Sequence, residues 1–165
     1  MKPALLVIDV QKAFFDLDAT TTQSLNHAIE YINAAIDLFR KKGLPIVSVQ
    51  HIDQDGGLVP GKEGFNQPES LKLLPSDLAI HKTYGNAFNK TDLEAKLRGL
   101  GVDAVVLTGF CAEFCVLATC QGAEDIDLNP MILRNAIASG APERIKFVED
   151  ISAIISYGAL KNFLA

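Results

Sequence analysis

The sequence is short of several things, and each shortage removes a class of function. It has no run rich in lysine and arginine, and 15 basic against 20 acidic residues leave a formal net charge of −5. That balance argues against a nucleic-acid partner, which needs a basic footprint. No apolar stretch is longer than a strand, so no membrane span is expected. Three cysteines, an odd number, do not make a disulfide framework and suit a reducing cytosol. The amino end carries one lysine and runs straight into an apolar strand pattern, which is not that of a secretory leader. Glycine is missing from Asp9-Val-Gln-Lys-Ala-Phe14, the turn after the first strand, so the phosphate-binding turn of a nucleotide-dependent oxidoreductase is not there. Repeats, low-complexity tracts and linkers are lacking too. These absences lead to the expectation of a cytoplasmic protein with one domain, 1–165, acting on a small molecule.

What is present is 48% hydrophobic and 21% charged over 165 residues, enough for one sizeable core. Ala4–Val10 is a buried-strand pattern with Asp9 near its carboxyl end. Leu25, Ala28, Ile29, Ile32, Ala35, Ile36 and Phe39 recur at helical spacing; Thr21 or Thr22 suits the cap of that helix, and Lys41, Lys42 and Gly43 suit its end. Pro45–Gln50 and Leu78–Lys82 read as strands, separated by a long loop, 52–76, rich in glycine and proline. Thr91-Asp-Leu-Glu94 predicts a capping box for a helix carrying Leu93, Leu97 and Leu100, stopped by Gly99 and Gly101. Ala104–Leu107 is a fourth buried strand, broken by Thr108-Gly109, with a helix starting at about Glu113. A strand at Pro130–Arg134, a helix over 141–151, a short strand over 153–155 and a closing helix over 157–164 complete the chain. Strands alternating with helices predict right-handed βαβ crossovers and a parallel sheet covered on both faces.

In such sheets ligands bind beyond the carboxyl ends of the strands. Asp9 ends the first strand, Lys82 ends the third and Cys115 follows the fourth, so three reactive residues fall at one edge. A cysteine in the first turn of a helix is expected to have a lowered thiol pKa, favouring the thiolate that attacks carbonyl carbon. Asp9 can take the thiol proton and return it to a leaving amine, while Lys82 balances the charge. Backbone N–H groups of the 110–115 turn can hold an oxyanion. Tyr84 and Phe110 adjoin these segments and are candidates for substrate contact. Cys111, Cys115 and Cys120 have the spacing of neither a zinc knuckle nor a thioredoxin pair. His51 and Asp53 are candidate metal ligands or, alternatively, a plain polar loop edge, and His81 is expected to point away from Lys82.

Leu6-Val-Ile-Asp-Val-Gln11 with Phe14, Lys82 followed by Ala87-Phe88, and Val106-Leu-Thr-Gly109 through Cys115-Val-Leu-Ala-Thr119 stand in an order and spacing that resembles the isochorismatase-like cysteine hydrolases. That family includes nicotinamidases, carbamoyl-amide hydrolases and isochorismatases, and the likeness runs over essentially the whole chain. The resemblance implies a catalytic triad of Asp9, Lys82 and Cys115. It also implies a cis peptide between Phe110 and Cys111, with the N–H groups of Cys111 and Cys115 turned toward the oxyanion. Phe14 resembles an aromatic of the substrate pocket, with Gln11 beside it. The resemblance further implies a homo-oligomer, dimer or tetramer, with subunits near the active-site mouth.

Two departures bear on function. Ala112-Glu113 stand where the family often has Thr-Asp, which alters the pocket wall. Val49-Gln50-His51 lacks the aspartate of the Asp-x-His pair that nicotinamidases use for a metal, and the only other histidines are His27 and His81. No metal and no obligatory cofactor is therefore expected. Isochorismatases proper generally lack the nucleophilic cysteine, so Cys115 favours C–N bond hydrolysis. The reading is an α/β, Rossmann-like three-layer domain with about six parallel strands in the order 3-2-1-4-5-6. Its expected activity is hydrolysis of a small amide or related C–N bond through a thioester. The rivals are a metal-assisted nicotinamidase, an isochorismatase-type vinyl-ether hydrolase and, from another class, a non-catalytic thiol-bearing binding protein.

Overall fold

Pro3–Ile8 (β1) is buried at every position because it lies inside a sheet that is covered on both faces. The computed structural model describes residues 1–165. β1 pairs in parallel with Ile46–His51 (β2) on one side, and Leu78–Lys82 (β3) lies beyond β2. On its other side β1 pairs with Ala104–Phe110 (β4), followed outward by Asn129–Ala138 (β5) and the two-residue Ile154–Ile155 (β6). The order is β3-β2-β1-β4-β5-β6 and every pairing is parallel, as the strand–helix alternation predicts. Alternate residues of β1 divide between two cores. Ala4, Leu6 and Ile8 pack with Leu93, Leu97 and Val116, whereas Leu5 and Val7 pack with Leu25, Ile32, Ile36 and Phe39.

The helices are Lys12–Phe15 (α1), Ala19–Lys41 (α2), Leu93–Gly99 (α3), Leu117–Asp125 (α4), Pro142–Ile151 (α5) and Tyr157–Phe163 (α6). α2 buries the apolar stripe that its spacing predicts, but it starts earlier than expected. Its cap is Asp18, whose carboxylate accepts from the Thr21 N–H at 2.7 Å; the Thr21 hydroxyl donates to the same carboxylate at 2.9 Å. A carboxylate at a helix start is the stronger acceptor and also meets the positive end of the dipole, so it takes the place expected for Thr21 or Thr22. The capping box at Thr91–Glu94 does not form. Asp92 stands at the N-cap without a side-chain cap, and the Thr91 hydroxyl is drawn back to the Ala87 carbonyl at 2.6 Å. No helix is long and apolar enough to cross a membrane.

Two strands run further than their sequence patterns. β4 continues through Thr108-Gly109 to Phe110. Thr108 is tolerated there because its buried hydroxyl donates to the Leu6 carbonyl at 2.9 Å. Gly109 is required there: its φ of +113° is left-handed, and a Cβ would overlap the backbone of Ile8. β5 continues past Arg134 to Ala138 by way of a bulge. Leu107 pairs with Ile132 but Gly109 pairs with Ile137, and Asn135 between them takes a φ of +67°. The polar Arg134-Asn135 pair hides that continuation in the sequence. The 52–76 segment is mostly loop, with an Asp53–Leu58 bridge and one 3₁₀ turn at Glu63–Phe65.

Candidate active site

The chemistry gathers where β1, β2, β3 and β4 end. Asp9 is the first residue past β1 and has a φ of +51°, a left-handed turn that aspartate accepts more readily than most side chains. Its N–H donates to the Val49 carbonyl at 2.8 Å, tying the turn to β2. Lys82 is the last residue of β3. Strand alternation puts Ile80 and Lys82 inside and His81 outside, where the His81 ring meets Phe65 edge-on at 5.2 Å. β2 separates β3 from β1, so the Lys82 side chain passes the end of β2 to donate to Asp9 Oδ2 at 2.7 Å. There it passes His51, the last residue of β2 and the register partner of Lys82, whose Nδ1 lies 3.1 Å from Lys82 Nζ.

Cys115 sits on one turn of π-helix, Ala112–Val116, between β4 and α4. The expected helix from Glu113 therefore begins as a wider turn, closed by the Val116 N–H donating to the Cys111 carbonyl at 3.1 Å. Ligand atoms of Cys115, Asp9 and His51 lie within 4.8 Å of one another. The structure thus brings Asp9, Lys82 and Cys115 together, with His51 as a fourth member. Asp9 Oδ1 is buried and has no hydrogen-bond partner. It is an acceptor left open on a carboxylate that comes within 4.8 Å of the Cys115 sulfur. One turn further along α4, the Thr119 hydroxyl accepts from the Ala87 N–H at 3.0 Å and so pins the segment that follows Lys82.

Burial raises the pKa of Asp9, against the opposing pull of Lys82. The Cys115 thiol is pushed up to about 11, first by burial and then by the Asp9 carboxylate. This corrects the expectation of a low thiol pKa: the start of the helix is outweighed by loss of water and by a negative neighbour. The resting group is a thiol, and the carboxylate next to it is a better base than a free one. Burial and the nearby Lys82 ammonium lower the pKa of His51, so its imidazole is neutral at pH 7.

Other residues singled out in the sequence have different surroundings. The Phe110–Cys111 bond is cis. Phe110 is buried, and its ring centroid lies 4.9 Å from that of the half-buried Phe14, an apolar wall on the same edge. Gln11 is fully buried and its amide is already engaged. Its Nε2 donates to the carbonyls of His51 and Phe65 at 3.1 and 3.2 Å, and its Oε1 accepts from the His51 N–H at 2.8 Å. It clamps the end of β2 and has no free amide to offer a substrate. Tyr84 is 41% exposed, and its hydroxyl accepts from Lys90 at 2.9 Å. Cys111 Sγ donates to Glu113 at 3.0 Å, and Glu113 also pairs with Arg144 at 2.9 Å. Burial and Glu113 push the Cys111 thiol up to about 12, and burial lifts Cys120 to about 11. Asp9 and Lys82 act on the Cys115 thiol and on neither of these.

Asp9, His51 and Cys115 are close enough to present three ligand atoms to a metal ion. They do not fit one, because the Lys82 ammonium lies 2.7 Å from Asp9 and 3.1 Å from His51, where a second cation would be repelled. Asp53 instead accepts from the Gly56 N–H at 3.0 Å within its own turn. The sequence offers His51 as a metal ligand or as a plain polar loop edge, not as a partner of Lys82. The signal for its place beside Lys82 is the β2–β3 register, which exists only once the sheet is assembled.

Residues 3–148 match the isochorismatase domain family. The uncharacterized isochorismatase family protein YrdC of Bacillus subtilis is 31% identical over 140 residues, 84% of this chain and 74% of that protein. The ureidoacrylate amidohydrolase RutB of Cronobacter sakazakii is 25% identical over 177 aligned positions, covering 84% of this chain and 75% of that protein. Among solved structures, N-carbamoylsarcosine amidase from Thermoplasma acidophilum superposes with a TM-score of 0.81 at 25% identity, covering 94% of this chain and 96% of that one. With its sheet order, its strand-end cluster and these likenesses together, the chain belongs to the isochorismatase-like hydrolase family.

Proposed function

We propose that this protein hydrolyses the C–N bond of a small non-peptide amide, with Cys115 as nucleophile, Asp9 as proton carrier and Lys82 as the charge that holds them. The observation that carries the reading is the buried Asp9 carboxylate within 4.8 Å of the Cys115 sulfur, its Oδ2 held by Lys82 and its Oδ1 without a partner. Sγ attacks the substrate carbonyl carbon as its proton passes to Asp9, so no free thiolate has to accumulate. The N–H groups of Cys111 and Cys115 receive the oxyanion. Asp9 then gives its proton to the leaving nitrogen, the C–N bond breaks and a thioester remains. Water attacks the thioester, losing its proton to Asp9; the acid leaves, and the proton returns to Cys115. Phe14 and Phe110 give the pocket an apolar wall suited to a small acyl group.

Two of the named relatives act on N-carbamoyl or ureido compounds, which makes these the first substrates to try. The test is ammonia release from a panel of N-carbamoyl amino acids, small primary amides and nicotinamide, comparing wild type with Cys115→Ala. Turnover by the wild type and none by the variant is the expected result. Equal ammonia release by both, or cleavage of a vinyl ether by both, would overturn the thioester reading.

A further inference from the structure

We infer that His51 is a positioning residue for this chemistry: its imidazole accepts a hydrogen bond from Lys82 at Nδ1 and so holds the ammonium against Asp9. The inference rests on the reading of Asp9, Lys82 and Cys115 given above. Lys82 Nζ and His51 Nδ1 are 3.1 Å apart. An ammonium has three donors and no lone pair, so the imidazole must supply the acceptor. That fixes the tautomer: Nδ1 is bare and the ring proton sits on Nε2. Of the three ammonium donors, one goes to Asp9 Oδ2 and one to His51, leaving one for the reacting centre.

The position of the ring is itself built. His51 closes β2 and pairs in register with Lys82, so the two residues start side by side. Its backbone is clamped on both sides by the buried Gln11, which accepts from its N–H and donates to its carbonyl. A lysine ends in a compact charge on four rotatable carbons, and one ion pair does not fix its direction. A second partner at the strand end does. Gln11, His51, Lys82 and Asp9 thus form one chain of contacts running from β1 across β2 and β3 and back to β1.

The groups facing the imidazole are Lys82 from β3, Asp9 from the end of β1, Cys115 from the π turn and Asp53 on its own loop. Protonating His51 would put an N–H against an ammonium and break the contact. Burial and Lys82 oppose that protonation, with Asp9 and Asp53 offsetting them in part. On acidification below the ordinary histidine range, Lys82 therefore loses its second partner.

Alkylation of Cys115 by iodoacetamide tests this without a known substrate. Label at residue 115 is followed by peptide mass spectrometry in the intact chain from about pH 5 to about pH 9. Wild type is compared with His51→Gln and His51→Leu, and thermal unfolding is used to normalise each rate to folded protein. His51→Leu is expected to slow labelling about tenfold at neutral pH, the scale of losing a hydrogen bond to a charged group. His51→Gln keeps an acceptor oxygen and should retain most of the rate. It should also lose an ionisation that the wild type shows on the acid side of the profile. A Leu variant with the wild-type rate and profile would overturn the inference, as would a Gln variant that falls as far as Leu. Wild-type Cys115 labelling no faster than Cys120 would instead remove the nucleophile reading, and this inference with it.

Discussion

Lys82 Nζ lies 2.7 Å from Asp9 Oδ2 with both side chains sealed from water, although their strands are separated by β2. Removing one partner leaves the other charge buried and unpaired, at a cost of about 3–5 kcal/mol. Lys82→Met is therefore expected to be inactive and less stable by roughly that amount in urea unfolding. The double variant Asp9→Asn/Lys82→Met should also be inactive but should recover a large part of the lost stability. A double variant as unstable as the sum of the two single variants would show that the pair is not the source of the cost.

Gln11 is expected to act through the backbone it clamps. Gln11→Ala strands the His51 N–H and takes a donor from the carbonyls of His51 and Phe65, of which Phe65 keeps Gln50 at 2.9 Å. Destabilisation of about 2 kcal/mol or more should follow. Cys115 labelling should slow as well, because the end of β2 no longer presents His51 to Lys82. Hydrogen exchange at His51 is the direct check: its amide should lose protection in the variant.

Gly109→Ala should be the most damaging single methyl group in the protein. The new Cβ would overlap Ile8 in the adjoining strand, at a φ of +113° that alanine resists. A loss of about 4 kcal/mol or more is expected, enough to leave much of the chain unfolded. Circular dichroism and the soluble yield of the purified variant measure it. The same change at Gly99, where nothing lies within 4 Å, serves as the control and should be tolerated.

Stability should fall in alkali. Cys111, Cys115 and Cys120 hold their protons to about 12, 11 and 11 when folded, against 9.0 for an unperturbed thiol. As pH rises through 9, the unfolded chain releases thiol protons that the folded chain keeps, so the unfolded state binds fewer protons and gains relative to the folded one. The urea midpoint should drop between about pH 8 and about pH 10. Cys120→Ala, at a thiol with no part in the proposed chemistry, should make that drop shallower. A midpoint with no pH dependence over this range would contradict the burial of these thiols.

Much of this was legible along the chain because it depends on local period and on strand ends. The apolar run Ala4–Ile8 and the stripe from Leu25 to Phe39 announce a buried strand and a long helix. Given alternating strands and helices, Asp9, Lys82 and Cys115 have to meet at the carboxyl edge of a parallel sheet. Local pattern misleads where a residue answers to a distant neighbour. Gly109 looks like a strand breaker in one dimension and is a close-approach site beside Ile8 in three. Gln11 looks like an available pocket amide until His51 and Phe65 engage it.

The sequence by itself determined the α/β class, the order of the elements, and which residue types reach the reactive edge, since these follow from hydrophobic spacing and chain direction. Only the tertiary structure decided their chemical state. A helix start favours a thiolate at Cys115, but the burial of the site and the Asp9 carboxylate hold the proton on sulfur. His51 is remote from Lys82 in sequence and becomes its partner only through the β2–β3 register. Desolvation and pairing between strands are sums over the whole fold, and no window of sequence contains them.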